Sequence, residues 1–179
     1  FTKRQVITKR MYEKLKRRPL DELGTTEEFS YPESQKNLIK LLKNIDNTPL
    51  LGGNSVRFYI SAKDKYKEML IDLKNAKHHI HVEYYIFSDD RIGSTIKDVL
   101  VKKALEGVEV RVIYDGFGSR KTKKSFFEEM RKAGVEAEPF LKLALPKFTS
   151  RLNYRNHRKI VVIDGEIGYV GGMNIADRY

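Results

Sequence analysis

From Ser55 to Phe140 the chain switches repeatedly between two hydrophobic rhythms, and this switching constrains the fold more than any other feature of the sequence. Segments of period two, rich in β-branched and aromatic residues, read as strands; segments of period near 3.6 read as amphipathic helices. Ser55–Ile60 is strand-like. Lys63–Asn75 is helical, with Tyr66, Met69, Leu70 and Leu73 on one face. His79–Phe87 is a strand, Ile92–Glu106 a helix stopped by Gly107, and Val108–Tyr114 a strand. Lys123–Lys132 and Val135–Phe140 repeat the pair. Strand and helix in strict alternation mean βαβ units, hence an α/β fold with a mostly parallel central sheet flanked by helices. Such sheets collect their ligands at the C-terminal edges of the strands. At one such edge Tyr114-Asp115-Gly116-Phe117-Gly118 opens into a basic loop with Arg120, Lys121, Lys123 and Lys124, which is either a solvated helix start or a head-group site.

After this alternation the pattern changes. Leu141–Asn156 mixes leucines with Lys142, Lys147, Arg151 and Arg155 without clear period. Long loops of this sort inside a domain are usually functional or disordered. Arg158–Val170 then reads as a hairpin, two apolar runs about Asp164-Gly165. Upstream, Pro32–Ile45 has helical spacing that turns Leu38, Leu41, Leu42 and Ile45 inward.

The residues suited to chemistry lie at the start of the hairpin, in Asn156-His157-Arg158-Lys159-Ile160-Val161-Val162-Ile163-Asp164. Alternate residues of a strand share a face, so His157 and Lys159 point the same way, about 7 Å apart along the backbone, and both can reach one phosphate. Parity turns Asp164 to the other face, where it is expected to hold structure by hydrogen bonds. Gly171-Gly172-Met173-Asn174 follows: two glycines allow close approach of backbone to a ligand, and the Asn174 amide can donate to a phosphate oxygen.

These residues resemble the phospholipase D superfamily, whose motif is H-x-K-x4-D followed by a Gly-Ser-x-Asn-like element; Gly172 stands where serine is commoner. Ile80–Phe87, Gly107–Arg111, Tyr114-Asp115-Gly116 and Arg155–Lys159 look like the bacterial cardiolipin synthases, and the likeness runs from about Ser55 to Tyr179. It implies transfer of a phosphatidyl group between two phosphatidylglycerol molecules, giving cardiolipin and glycerol through a phosphohistidine. It also implies His157, Lys159 and Asp164 as motif residues, and Gly171, Gly172 and Asn174 as substrate contacts. One histidine attacks phosphorus and the histidine of a second motif protonates the leaving oxygen, while lysines and Asn neutralise the phosphate, so that neither metal nor other cofactor is expected. This chain holds one such motif. The expectation is therefore that residues 32–179 form a first, incomplete half of the catalytic region, inactive alone, with the second half elsewhere in the same polypeptide.

Charge bears on the partner. Of a net charge of +11, about +7 lies in Phe1–Arg18, which carries eight basic residues and one acid. The remainder carries 27 basic and 23 acidic residues, too balanced for a body that coats nucleic acid. Residues 1–31 thus read as a basic, membrane-proximal arm and linker. Ile7, Met11 and Leu15 form an apolar stripe suited to an anionic bilayer, and basic charge beside a membrane favours its cytoplasmic face. The absence of cysteine excludes disulfides and Cys-based zinc sites. Three rival readings stand. His79, His81 and Glu83 share a strand face and could form a zinc set, although ordinary sheet packing explains them, and Glu83 could instead support the site as an inward polar residue. A single-motif phosphodiesterase or nuclease could complete its site as a homodimer. A membrane-binding module could keep the fold without catalysis.

Overall fold

The computed structural model describes residues 32–46, 53–140 and 155–179, so the arm and linker of residues 1–31 and most of the 141–156 loop lie outside the described residues. The chain divides into two compact units, residues 1–58 and 59–179. In the first, helix α1 (Glu33–Asp46) forms where its spacing predicts, with Glu33 in its first turn. Its apolar stripe does not turn inward: Leu38, Leu41, Leu42 and Ile45 are all exposed. Helical period selects a face, but burying that face needs a second surface, and the described residues of this unit offer none.

The second unit holds the sheet. Helix α2 (Ala62–Asn75) is capped by Ser61, whose hydroxyl accepts from Asp64 N, and buries Tyr66, Met69 and Leu73. Strand β1 (His79–Tyr84) follows, then helix α3 (Arg91–Leu105), strand β2 (Glu109–Tyr114), helix α4 (Lys124–Lys132) and strand β3 (Glu136–Pro139). The N-terminus of α3 is well satisfied: Asp90 accepts from Gly93 N, and the Asp177 carboxylate accepts from Arg91 N and Ile92 N. Gly107 and Gly134, both at φ above +90°, turn the chain out of α3 and α4. Ser55–Ile60, expected as a strand, forms none. Val56, Phe58 and Ile60, which alternation would put on one face, are 76%, 89% and 99% exposed. A strand persists only where a neighbouring strand takes up its N–H and C=O groups, and no described strand pairs with this segment.

Strands β4 (Lys159–Ile163) and β5 (Ile167–Val170) complete a five-stranded sheet of order β3-β2-β1-β4-β5. The class is α/β as expected, and the sheet is mixed: β1, β2 and β3 run parallel, while β4 and β5 are antiparallel to their neighbours. The register puts Ile80, Val82 and Tyr84, Val110 and Val112, Ala137, and Lys159, Val161 and Ile163 on one face. The apolar residues among them join Met69, Leu73, Ile96, Leu100, Phe127 and Met130 of the helices in a single core. The opposite face carries His79, His81, Glu83, Glu109 and Arg111. Because β4 runs against β1, its first residue, Lys159, pairs with Tyr84, the last residue of β1. The motif strand therefore starts at the edge where the parallel strands end.

The hairpin is fastened at its far end. Asp164 and Gly165 both have positive φ, +55° and +74°, the backbone of a tight turn, and Glu166 N donates to Ile163 O. The Asp164 carboxylate accepts from the backbone N–H groups of Lys77, His78 and His79 at 2.8–2.9 Å, binding the turn to the segment that leads into β1. Desolvation opposes ionisation there, but the bonds from His79, Lys77 and His78 outweigh it and hold the carboxyl near 2. An unfolded aspartate titrates near 4. The folded state thus binds fewer protons than the unfolded one between these values, and this contribution to stability is complete above pH ~4 and fades as pH falls towards 2. Asp164→Asn, which tolerates the same backbone conformation, should cost about 2 kcal/mol at pH 7. The deficit relative to the parent should shrink at pH 3, as measured by urea unfolding; an equal deficit at both values would refute the role of the charge.

Candidate active site

Three backbone segments converge where β1 ends and β4 begins: Tyr85–Ser88 after β1, Asp115–Thr122 after β2, and Arg155–Lys159 leading into β4. Tyr85 N donates to Arg158 O and Asp115 N to Tyr84 O, so the segments are tied by main-chain bonds before any side chain is considered. The buried Asp115 carboxylate completes the junction. One oxygen accepts from Phe117 N and Gly118 N at 2.9 and 2.8 Å, the other from Asn156 N at 3.0 Å. A single side chain thus shapes the loop after β2 and anchors the residue preceding His157.

His157 is exposed, and its ring lies against Tyr85, with centroids 4.7 Å apart. Lys159 is buried; its Nζ donates to His157 O at 2.7 Å and approaches the Tyr85 ring to 5.4 Å. The imidazole and the ammonium therefore meet at one tyrosine. Burial lowers the Lys159 pKa, and Tyr179 works in the opposite direction. No carboxylate pairs with that ammonium among the described residues, which leaves its charge for an incoming anion.

The Gly-Gly-x-Asn loop is drawn to the same place. Asn174 is buried, accepts at Oδ1 from Ile86 N at 3.1 Å and donates from Nδ2 to the Tyr179 hydroxyl at 2.6 Å. Behind it the Tyr66 hydroxyl donates to Asn174 O, and Lys65 Nζ donates to the Tyr84 hydroxyl at 3.0 Å and to Met173 O at 3.3 Å. Burial pulls the Lys65 pKa down to about 8 and pushes Tyr66 up to about 12. A Cβ at Gly171 or Gly172 would meet nothing within 4 Å, so no internal packing demands glycine there. Their bareness suits close approach by something outside the chain.

Glu83 faces the same junction from the opposite side of the sheet. It accepts from Asn156 Nδ2 at 2.7 Å and lies 3.4 Å from the Arg158 guanidinium. His81 is turned to Glu109, 3.2 Å away, with its ring against that of His79. Glu83 is engaged elsewhere, so the three residues of the zinc alternative do not gather, and no group of three or more His, Cys, Asp or Glu converges among the described residues. Asp164 stands at the other end of β4, away from His157, in the clasp described above.

Asp115, Asn156, Tyr85 and Tyr179 join the site without being among the residues expected to form it. Asp115 carried a signal, being the aspartate of an Asp-Gly turn at the C-terminal edge of a strand. The other three become visible only once the segments meet.

The matching family model, described as cardiolipin synthase, PLD-like domain, covers residues 69–179. A cardiolipin synthase of Alkalihalophilus pseudofirmus is 43% identical over 180 residues, all of this chain and 35% of that protein. The major cardiolipin synthase ClsA of Bacillus subtilis is 43% identical over 171 residues, 93% of this chain and 35% of that protein. The chain spans about a third of the length of these curated relatives. Among solved structures, Nuc of Salmonella typhimurium, a phospholipase D family member, aligns with 66% of this chain and 67% of its own at 20% identity and TM-score 0.48.

Proposed function

The chain belongs to the cardiolipin synthase family of phospholipase D-like domains, and from that membership we propose that it supplies one half of a site that moves a phosphatidyl group between two phosphatidylglycerol molecules. The observation that carries this reading is the meeting of His157 and Lys159 at Tyr85, on the sheet edge where the Asn174 loop is also tied. An exposed imidazole beside a partly desolvated ammonium with no carboxylate partner among the described residues is what attack on a phosphodiester needs: a nucleophile or proton carrier, and a fixed positive charge for the phosphoryl oxygens. Preorganised charge is stronger in a water-poor setting, and Lys159 is buried.

The reaction needs a second histidine on the far side of the phosphorus, and no second H-x-K-x4-D occurs in these 179 residues. We assign it to a further part of the same polypeptide. In this reading Asp164 and Glu83 support the site without touching substrate, Gly171 and Gly172 admit the lipid phosphate, and the basic arm of residues 1–18 holds the domain to an anionic, cytoplasmic membrane face. No helix among the described residues is long and apolar enough to cross a membrane.

The test uses the chain as it stands. Phe1–Tyr179 is expected to fold and to convert no phosphatidylglycerol in vesicles and no chromogenic phosphodiester, whereas the full-length polypeptide makes cardiolipin. Turnover by the chain alone, rising with its concentration as a dimer forms, would replace this reading with that of a homodimeric phosphodiesterase.

A further inference from the structure

We propose that the cavity formed by Tyr85, Phe117, Gly118, Arg120, Lys121 and Arg178 binds the phosphodiester of the acceptor lipid, the molecule whose hydroxyl receives the phosphatidyl group. The proposal rests on the phosphatidyl-transfer reading and adds a binding site to it. The cavity, of 220 Å³, lies beside the reaction centre: Tyr85 forms its wall on one side and contacts the His157 ring. Three basic side chains line it and no carboxylate does. Two other cavities fail this criterion. The one between α2 and α3 has Lys63, Lys67 and Arg91 but also Asp177, and the one at the ends of β2 and β3 includes Glu128 and Glu138.

The cavity is built, not a chance hollow between mobile side chains. A Cβ on Gly118 would stand 2.2 Å from Tyr85 O, so the loop is in close contact with the segment after β1. Ser119 accepts from Phe87 N and donates to Tyr85 O, and Thr122 donates to Phe87 O at 2.6 Å. Asp115 fixes the start of the same loop. On this frame the guanidinium of Arg120 lies over the Phe117 ring, 4.4 Å from its centroid, with that of Arg155, outside the cavity lining, 4.3 Å from the same centroid. Among the described residues Arg120 and Arg178, which line the cavity, have no carboxylate partner within it. Planar guanidiniums match phosphate oxygens in geometry, so a bound phosphodiester would meet unneutralised charge there.

Position decides between donor and acceptor. The donor phosphorus undergoes attack and so belongs at His157 and Lys159. In the acceptor, one glycerol unit separates the phosphate from the attacking hydroxyl, and one aromatic ring, Tyr85, separates the cavity from His157. The first step forms a nitrogen–phosphorus bond on one histidine and releases glycerol, which takes a proton from the other. In the second step the acceptor hydroxyl attacks that phosphorus, its proton passes to the second histidine, and the nitrogen–phosphorus bond breaks to give cardiolipin. Free glycerol can replace the lipid in the second step, regenerating phosphatidylglycerol, and it carries no phosphate.

This contrast supplies the experiment. In the full-length polypeptide, cardiolipin formation from phosphatidylglycerol vesicles and incorporation of labelled glycerol into phosphatidylglycerol are measured together for the parent, Arg120→Gln and Arg178→Gln. The ratio of cardiolipin formed to glycerol incorporated should fall by roughly tenfold in each variant, the scale of a lost charge-assisted contact. Arg120→Lys should recover part of that ratio. An unchanged ratio, whether both rates drop together or neither moves, would overturn the proposal while leaving phosphatidyl transfer standing. A parent that performs neither reaction would overturn phosphatidyl transfer itself, and this site with it.

Discussion

Replacing His157 by asparagine in the full-length polypeptide is expected to abolish cardiolipin formation, lowering the rate by roughly 10⁴-fold or more, the scale seen when a covalent catalyst or its proton partner is removed. In the proposed mechanism the size of the effect does not depend on which of the two histidines attacks phosphorus, because each step would need both. Stability should scarcely change. The imidazole is exposed and its main contact is one tilted ring contact with Tyr85, so the substitution belongs with surface changes worth about 0.5 kcal/mol or less. The measurement is paired: cardiolipin formed per unit time, and the thermal midpoint of the same preparation. A variant that keeps a tenth of the parent rate would remove His157 from the chemistry. A variant that loses activity and several degrees of midpoint would show that it matters to the fold instead.

Asp115→Ala should cost the domain about 3–4 kcal/mol of stability. The carboxylate is 1% exposed and accepts three backbone N–H groups, from Phe117, Gly118 and Asn156. Truncation leaves those donors without a partner in a place water reaches poorly, and each unsatisfied buried donor costs about 1–3 kcal/mol before relaxation. Asp115→Asn should cost about half as much, because its carbonyl oxygen can keep the pair of bonds to Phe117 and Gly118 while its amide cannot accept from Asn156. Urea unfolding of Phe1–Tyr179 gives both values. A loss below 1 kcal/mol for alanine would mean that solvent satisfies the loop unaided. In the full-length polypeptide the asparagine variant should also lose turnover beyond its stability deficit, since the released Asn156 immediately precedes His157.

The sequence made the elements legible wherever a local rule sufficed. The face of α2, the extent of α3, its stop at Gly107 and the turn at Asp164-Gly165 all follow from period and turn chemistry within a few residues. Two elements failed for a common reason. Val56, Phe58 and Ile60 alternate, and Leu38, Leu41, Leu42 and Ile45 fall on one helical face, yet all are exposed because pattern selects a face without supplying what covers it. That β4 joins β1 antiparallel was illegible too, since the direction in which a hairpin joins an edge is not written in either of its strands. Of the site, His157 and Lys159 were readable from their spacing. Glu83 was open between packing, metal binding and support; its contacts with Asn156 and Arg158 come from β4 meeting β1 across more than seventy residues.

That meeting has a consequence for synthesis. β1 lies in the middle of the sheet, but its two neighbours emerge from the ribosome at different times: β2 begins 25 residues after β1 ends, β4 only 75 residues after. At about 5–20 residues per second, one side of β1 presents unpaired N–H and C=O groups for roughly 4–15 seconds after its residues are made. The strand that fills this gap is the one carrying Lys159, with His157 just before it. The nascent domain thus gains His157 and Lys159 in the same event that covers the open side of β1, and a chain stalled before Asn156 would leave that side exposed to pairing with its neighbours.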